Sequence, residues 1–237
     1  DASTLEVPGE RIATIMLVAD GVGGSAAGSL ASRLAAEAVT GYVASTLRCY
    51  ESGDPSNEQV FAAALRDAAL RAHEVVRAEA GATHETRGMA TTLSLGIVVW
   101  PWLYVVQVGD SRCYLYQDGR LRQLTRDQTV AQELIDRGAL ARESAKNSPF
   151  HHVLSSAIGS DSADPEVTRV DVRERGCVIL VCTDGLTKHV TDDEIAEHLA
   201  TMTSAEQVSR ALLQLALDRG GTDNVTLVIG RALEQGR

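Results

Sequence analysis

Aromatic residues make up only 4% of this 237-residue chain, with two Trp and two Phe, against 44% hydrophobic residues overall. A core of useful size is available, but its packing must rely on Ala, Val, Leu and Ile. Proline is scarce as well, at five residues, and no Pro- or Ser-rich stretch or shift of composition divides the chain, so one domain over 1–237 is expected. Basic residues are outnumbered, 22 Lys and Arg against 32 Asp and Glu, for a formal net charge of −10. That balance argues against a nucleic-acid surface or one for anionic membranes, and it leaves anionic ligands to be attracted locally. The four cysteines, Cys49, Cys113, Cys177 and Cys182, show no C-x-x-C spacing and read as reduced thiols of a cytoplasmic protein, the last three in apolar runs. No apolar run approaches the roughly 18 residues of a membrane span, and no signal-peptide pattern opens the chain, so a soluble chain is expected.

What the chain does contain is four distant segments in which a strongly apolar run ends at an aspartate in a glycine-rich or polar turn. They are Val18-Ala19-Asp20-Gly21-Val22-Gly23-Gly24, Val108-Gly109-Asp110-Ser111-Arg112, Cys182-Thr183-Asp184-Gly185-Leu186 and Gly220-Gly221-Thr222-Asp223-Asn224. Such a run reads as a buried strand, and a carboxylate at its end sits at the rim of the core, where desolvation makes a lone negative charge expensive. Converging carboxylates would repel one another unless cations bind. The economical reading is an oxygen-lined site for hard divalent ions, magnesium or manganese. Taken singly, each segment has a plainer reading. Asp-Gly is an ordinary turn, Asp184 is a candidate helix cap, and Asp110 is a candidate partner for Arg112 in a tight turn.

Around these segments the pattern predicts a strand at 12–19, an alanine-rich helix at about 26–49, and a helix capped by Ser56-Asn57-Glu58-Gln59. Strands are expected at 91–99 and 103–108, then at 112–117 and 120–125 around Asp118-Gly119, together an antiparallel meander. Strands at 167–172, 177–183 and 226–229 follow, with helices capped at Thr191 and Ser204 between the last two. Helices, strands, then helices suggest segregated layers, an α+β fold. Residues 129–160 fit neither core pattern. No Cys-x5-Arg loop or Gly-x-Ser-x-Gly elbow is present, and the six histidines are scattered, with the pair His151-His152 read as surface residues.

The four segments in this order, with Met89-Ala90-Thr91-Thr92 close to a Met-Gly-Thr-Thr of the family, resemble the metal-dependent PPM, or type 2C, serine/threonine phosphatases of bacterial type, over 12–230. The resemblance implies a four-layer α-β-β-α sandwich, two antiparallel sheets flanked by helix pairs, with 129–160 as a mobile flap. It implies hydrolysis of phosphoserine and phosphothreonine in proteins by a metal-bridging water, using two Mn2+ or Mg2+ ions and a weaker third. Asp20 would bridge both ions, the Gly21 carbonyl would bind one, and Asp184 and Asp223 would complete the set, with Asn224 beside the second ion. Asp110 would serve the third ion or orient water. Phosphoproteins and a cognate serine/threonine kinase are the implied partners. The chain departs from the family pattern in three places. Asp1 stands where an upstream Arg-x-x-Asn-Glu-Asp motif would end, which the resemblance places behind the metal ligands, so an upstream first strand, the Arg and the Glu are expected to be missing. Ser25 replaces a histidine that can protonate the leaving alcohol and reads instead as the start of a helix. Lys188 stands where some members carry a further acidic ligand, so a third ion would bind less well. A non-catalytic phosphatase-like binding module that retains its metal sites is the alternative.

Overall fold

The structure is a computed structural model that describes residues 2–7, 11–22, 25–47, 55–145, 148–174 and 176–231. Asp1 and Cys49 lie outside these residues, as does the side chain of Ser25. Strands β1 (Ala2–Val7), β2 (Arg11–Val18), β5 (Leu93–Val99), β6 (Trp102–Val108) and β9 (Glu166–Asp171) form one antiparallel sheet in the order β1-β2-β5-β6-β9. A second is built from β7 (Arg112–Gln117), β8 (Arg120–Gln123), β10 (Val178–Cys182) and β11 (Leu227–Arg231), in the order β11-β10-β7-β8. A short ribbon pairs β3 (Gly21–Val22) with β4 (Ala90–Thr91).

Alternation along the strands sorts the side chains into three apolar layers. One face of the first sheet, with Ile15, Leu17, Leu95, Ile97, Tyr104 and Val106, receives helices α1 (Ser25–Leu47) and α2 (Pro55–Ala80). The α1 stripe is Ala31, Ala35, Val39, Val43 and Leu47, every fourth residue, all buried. Small side chains at that spacing let helix and sheet approach closely, which is how a chain poor in aromatics fills this layer. The opposite face, with Met16, Val18, Leu103 and Val105, meets Cys113, Leu115, Ile179 and Val181 of the second sheet. A Cβ on Gly230 would stand 2.7 Å from the Met16 sulfur, so glycine there makes room for Met16 to reach across between the sheets. The outer face of the second sheet, with Tyr114, Val178, Leu180 and Cys182, carries α6 (Asp192–Ala200) and α7 (Ala205–Asp218). Both helices start at the expected caps: Thr191 forms a full capping box with Glu194, and the Ser204 hydroxyl accepts from the Gln207 N–H. The result is the four-layer sandwich.

Several expectations are corrected. The central block is not one meander, because β5–β6 and β7–β8 belong to different sheets and the chain crosses between them at 109–111. The strand expected at 91–99 is interrupted at Thr92, where the backbone bonds to Asp20 instead of continuing the ladder. Helix α2 begins at Pro55, ahead of the expected cap, in keeping with proline's preset φ at the first helical position. A strand, β1, precedes the first one read from the sequence. Segment 129–160 contains two short helices, α3 (Val130–Asp136) and α4 (Arg142–Ala145). Among the described residues no helix is long and apolar enough to cross a membrane.

Candidate metal centre

Each of the four aspartates is set by a local device at one end of the sandwich. Asp20 follows β2, and its N–H donates to Thr92 Oγ1 at 3.0 Å. Its carbonyl accepts from the Thr92 N–H and from Thr91 Oγ1, both at 2.9 Å. The stretch Met89-Ala90-Thr91-Thr92 is therefore a clamp on the Asp20 backbone. Thr92 Oγ1 also lies 2.6 Å from Ser111 Oγ, which latches this turn to the next. Gly21 faces Gly28 of α1. A Cβ on Gly21 would run into the Gly28 carbonyl, and one on Gly28 would stand 2.9 Å from the Gly21 carbonyl carbon and oxygen, so both positions require glycine.

Asp110 leaves the end of β6 through Gly109, whose φ of +98° belongs to glycine. The Gly109 N–H donates to Gln128 Oε1 at 2.9 Å, and its carbonyl accepts from Gln107 Nε2 at 2.7 Å and the Gln128 N–H at 2.9 Å. These glutamines are buried, so the turn is fixed from beneath. Arg112 does not hold this turn. Its guanidinium is committed to Asp127, at 2.7 Å, and to Tyr114 Oη at 3.0 Å.

Asp184 opens α5 (Asp184–Thr187) directly after β10. Thr183 Oγ1 donates to the Asn224 carbonyl at 3.2 Å and accepts from the Thr226 N–H at 3.1 Å. A Cβ on Gly185 would collide with that same carbonyl, so the Asp184 and Asp223 turns are docked backbone to backbone. Asn224 enters the arrangement through its main chain, its N–H donating to Asp223 Oδ1 at 2.8 Å. Lys188 Nζ lies 2.7 Å from Asp184 Oδ2 and 2.5 Å from Asp223 Oδ2.

Asp20, Gly21, Asp110, Asp184, Lys188 and Asp223 line one cavity of about 660 Å³. Burial, then the charges of Asp184 and Asp223, push the Asp20 carboxyl up to about 7. Asp110 is likewise pushed up to about 7 by burial and by Asp184, Asp127 and Asp20. Asp223 is held below its ordinary value by its bond to Lys188. Among the described residues no three His, Cys, Asp or Glu side chains form a ready ligand cluster. Asp184 Oδ1 is nonetheless buried with no hydrogen-bond partner. An orphaned carboxylate oxygen among other carboxylates and a Gly carbonyl is a hard-oxygen donor set that fits Mn2+ or Mg2+.

The cavity also takes in residues that the sequence did not single out. His152, read as a surface residue, is exposed but forms part of the wall, its ring 4.8 Å from that of His151. Ser155 and Ser160 of the same segment also line the cavity, with Asp161 and Ser162 directly after it. The base of that segment is tied down: Ile158 and Thr91 exchange backbone hydrogen bonds at 2.9 Å, and the Gly159 N–H donates to His73 Nδ1 at 3.1 Å.

Comparison with known proteins agrees with this geometry. Serine/threonine protein phosphatase PstP of Mycobacterium tuberculosis is 35% identical over 94% of this chain, which spans 41% of that protein's length. Serine/threonine phosphatase stp of Listeria monocytogenes is 31% identical over 93% of this chain and 86% of its own. The crystal structure of the catalytic domain of PstP in complex with two manganese ions superposes with a TM-score of 0.77 at 31% identity, covering 99% of this chain and 96% of that one. The family model for protein phosphatase 2C matches residues 1–218, and the chain belongs to that family.

Proposed function

We propose that this chain hydrolyses phosphoserine and phosphothreonine in proteins, with Asp20, the Gly21 carbonyl, Asp184 and Asp223 holding two Mn2+ or Mg2+ ions. The observation that carries the reading is the buried, unpartnered Oδ1 of Asp184, a residue that lines one cavity with Asp20, Asp110 and Asp223 and whose charge raises the Asp20 carboxyl. Bound there, divalent ions supply Lewis acidity, neutralising phosphoryl charge and lowering the pKa of water. The chain's own part is placement. Thr91 and Thr92 fix Asp20, Gly28 leaves the Gly21 carbonyl room, and Gln107 and Gln128 fix the Asp110 turn, where Asp110 orients water or serves a weaker third ion. Segment 129–160 forms the wall on the substrate side and is read as one domain with the rest of the chain.

Ser25 is a poor proton donor to a leaving alkoxide, so aryl phosphates, whose phenols have a pKa of about 10, should be favoured over phosphothreonine. Phosphoproteins are the substrate class, with a serine/threonine kinase as the opposing enzyme. The cytoplasmic setting rests on the free, buried thiols of Cys113, Cys177 and Cys182.

The bridge from Lys188 to two of the candidate ligands favours a second reading, a non-catalytic module of the same fold. One experiment separates them: turnover of an aryl phosphate and a phosphothreonine peptide in Mn2+, in Mg2+ and in chelator. Metal-dependent turnover of both is expected. Absence of turnover with Mn2+ bound would leave the binding module.

A further inference from the structure

Only two of the chain's 22 basic residues are lysines, Lys146 and Lys188. In a chain that otherwise uses arginine, one of the two lies at the centre of the carboxylate cluster. A guanidinium is a flat fork suited to bidentate pairing, whereas an ammonium is a compact point charge with three rotatable donors. Lys188 uses that shape, with Nζ 2.7 Å from Asp184 Oδ2 and 2.5 Å from Asp223 Oδ2. These two aspartates lie on turns 39 residues apart in sequence, docked through Gly185 and the Asn224 carbonyl. The Lys188 backbone is itself tied to the Asp184 turn, its N–H donating to the Asp184 carbonyl at 2.8 Å. The ammonium is therefore delivered from the same helical turn as one of the groups that it neutralises.

We propose that Lys188 is a tethered counter-ion of the metal-free centre, which holds Asp184 and Asp223 together and competes with divalent ions for their oxygens. The inference rests on the assignment of these aspartates as metal ligands. Loading is then an exchange of one cation for another: a divalent ion can take up Asp184 Oδ2 and Asp223 Oδ2 only as the ammonium withdraws along its flexible stem. Metal affinity is correspondingly weaker than the carboxylates alone would give, and the empty centre is spared the full repulsion of its acids. Lys188 is a positioning residue in this scheme, since it acts through the aspartates.

The test is calorimetric titration of Mn2+ into the metal-free chain at one fixed pH, for wild type, Lys188→Met, Lys188→Gln and Lys188→Arg, with thermal melting of each in chelator. Met and Gln should bind Mn2+ about tenfold more tightly, the size expected for losing two partly exposed competing ion pairs, and should melt at lower temperature without metal. Arg, which keeps the charge, should stay nearer to wild type. Unchanged or weaker Mn2+ binding in both Met and Gln overturns the proposal, as does unchanged binding joined to a raised KM for a phosphothreonine peptide, which would make the ammonium a phosphate ligand. Wild type that binds no Mn2+ while the Met variant does supports the competition. Failure of all four to bind would instead remove the metal centre itself, and the proposal with it.

Discussion

Replacing Gly28 by alanine should damage the metal centre without unfolding the protein. The added Cβ would stand 2.9 Å from the carbonyl carbon and oxygen of Gly21 and 3.3 Å from its Cα, all backbone atoms that cannot rotate aside. Ordinary carbon contacts begin near 3.5 Å, so the Asp20-Gly21 turn must retreat by about half an ångström. A glycine-to-alanine change inside a helix gains about 1 kcal/mol, and overpacking costs about 1–3 kcal/mol, which leaves stability within about 2 kcal/mol of wild type. Misplacing a catalytic group by 1 Å can cost about a hundredfold, so half that distance should lower turnover roughly tenfold. Gly41, on the same helix, is the control, because a Cβ there meets nothing within 4 Å. Gly41→Ala should stabilise the chain by up to about 1 kcal/mol and leave turnover unchanged. The measurements are Mn2+-dependent hydrolysis of an aryl phosphate and urea unfolding. A folded Gly28→Ala protein with wild-type turnover and wild-type Mn2+ affinity would refute the argument that the Gly21–Gly28 contact sets the carbonyl.

Other outcomes follow from the same geometry. Asp20→Ala and Asp223→Ala should each abolish metal-dependent turnover while unfolding cooperatively; full activity of both at saturating manganese would remove them from the centre. In the metal-free protein Asp20 keeps its proton up to about pH 7, against an ordinary value near 3.8, so its folded pKa is raised. The native state then holds more protons than the unfolded chain between about pH 4 and 7, and this group's contribution to stability falls as pH rises through that window. Urea unfolding in chelator should show Asp20→Ala gaining on wild type from pH 5 to pH 8, and a constant difference would contradict the shift. Thr92→Val strips partners from the Asp20 N–H and the Ser111 hydroxyl in a buried setting, and should cost about 2–3 kcal/mol along with much of the turnover. A loss below about 0.5 kcal/mol would mean that water replaces the hydroxyl.

The aspartates were legible because their signal is local: an apolar run that stops at an acidic turn fits within seven residues. Capping boxes such as Thr191 with Glu194 were legible for the same reason. What joins the turns was not. Thr92 meets Ser111 across 19 positions and Lys188 meets Asp223 across 35, and no spacing rule connects such pairs. Strands β6 and β7 are separated by only three residues, 109–111, as the strands of a hairpin would be, and nothing in their composition tells that the intervening Gly109 turns the chain into a different sheet. The resemblance supplied the layers, but the wall contributed by His152 and Ser155 depends on how 129–160 is anchored at Thr91 and His73.

The placement of the aspartates on the two sheets has a mechanical consequence. Asp20 and Asp110 follow strands of the first sheet, β2 and β6, while Asp184 follows β10 of the second and Asp223 precedes β11 beside it. The sheets are thus two jaws, and the layer of Met16, Val18, Cys113 and Val181 between them is the shim that sets their gap. Because such interiors are close-packed and hardly compressible, one methylene more or less in that shim is transmitted to the rim as a change in carboxylate separation. The same lever works in reverse, so an ion bound by the proposed ligands at the rim would resist sliding of one sheet over the other and would couple the two halves of the sandwich into a single unfolding unit.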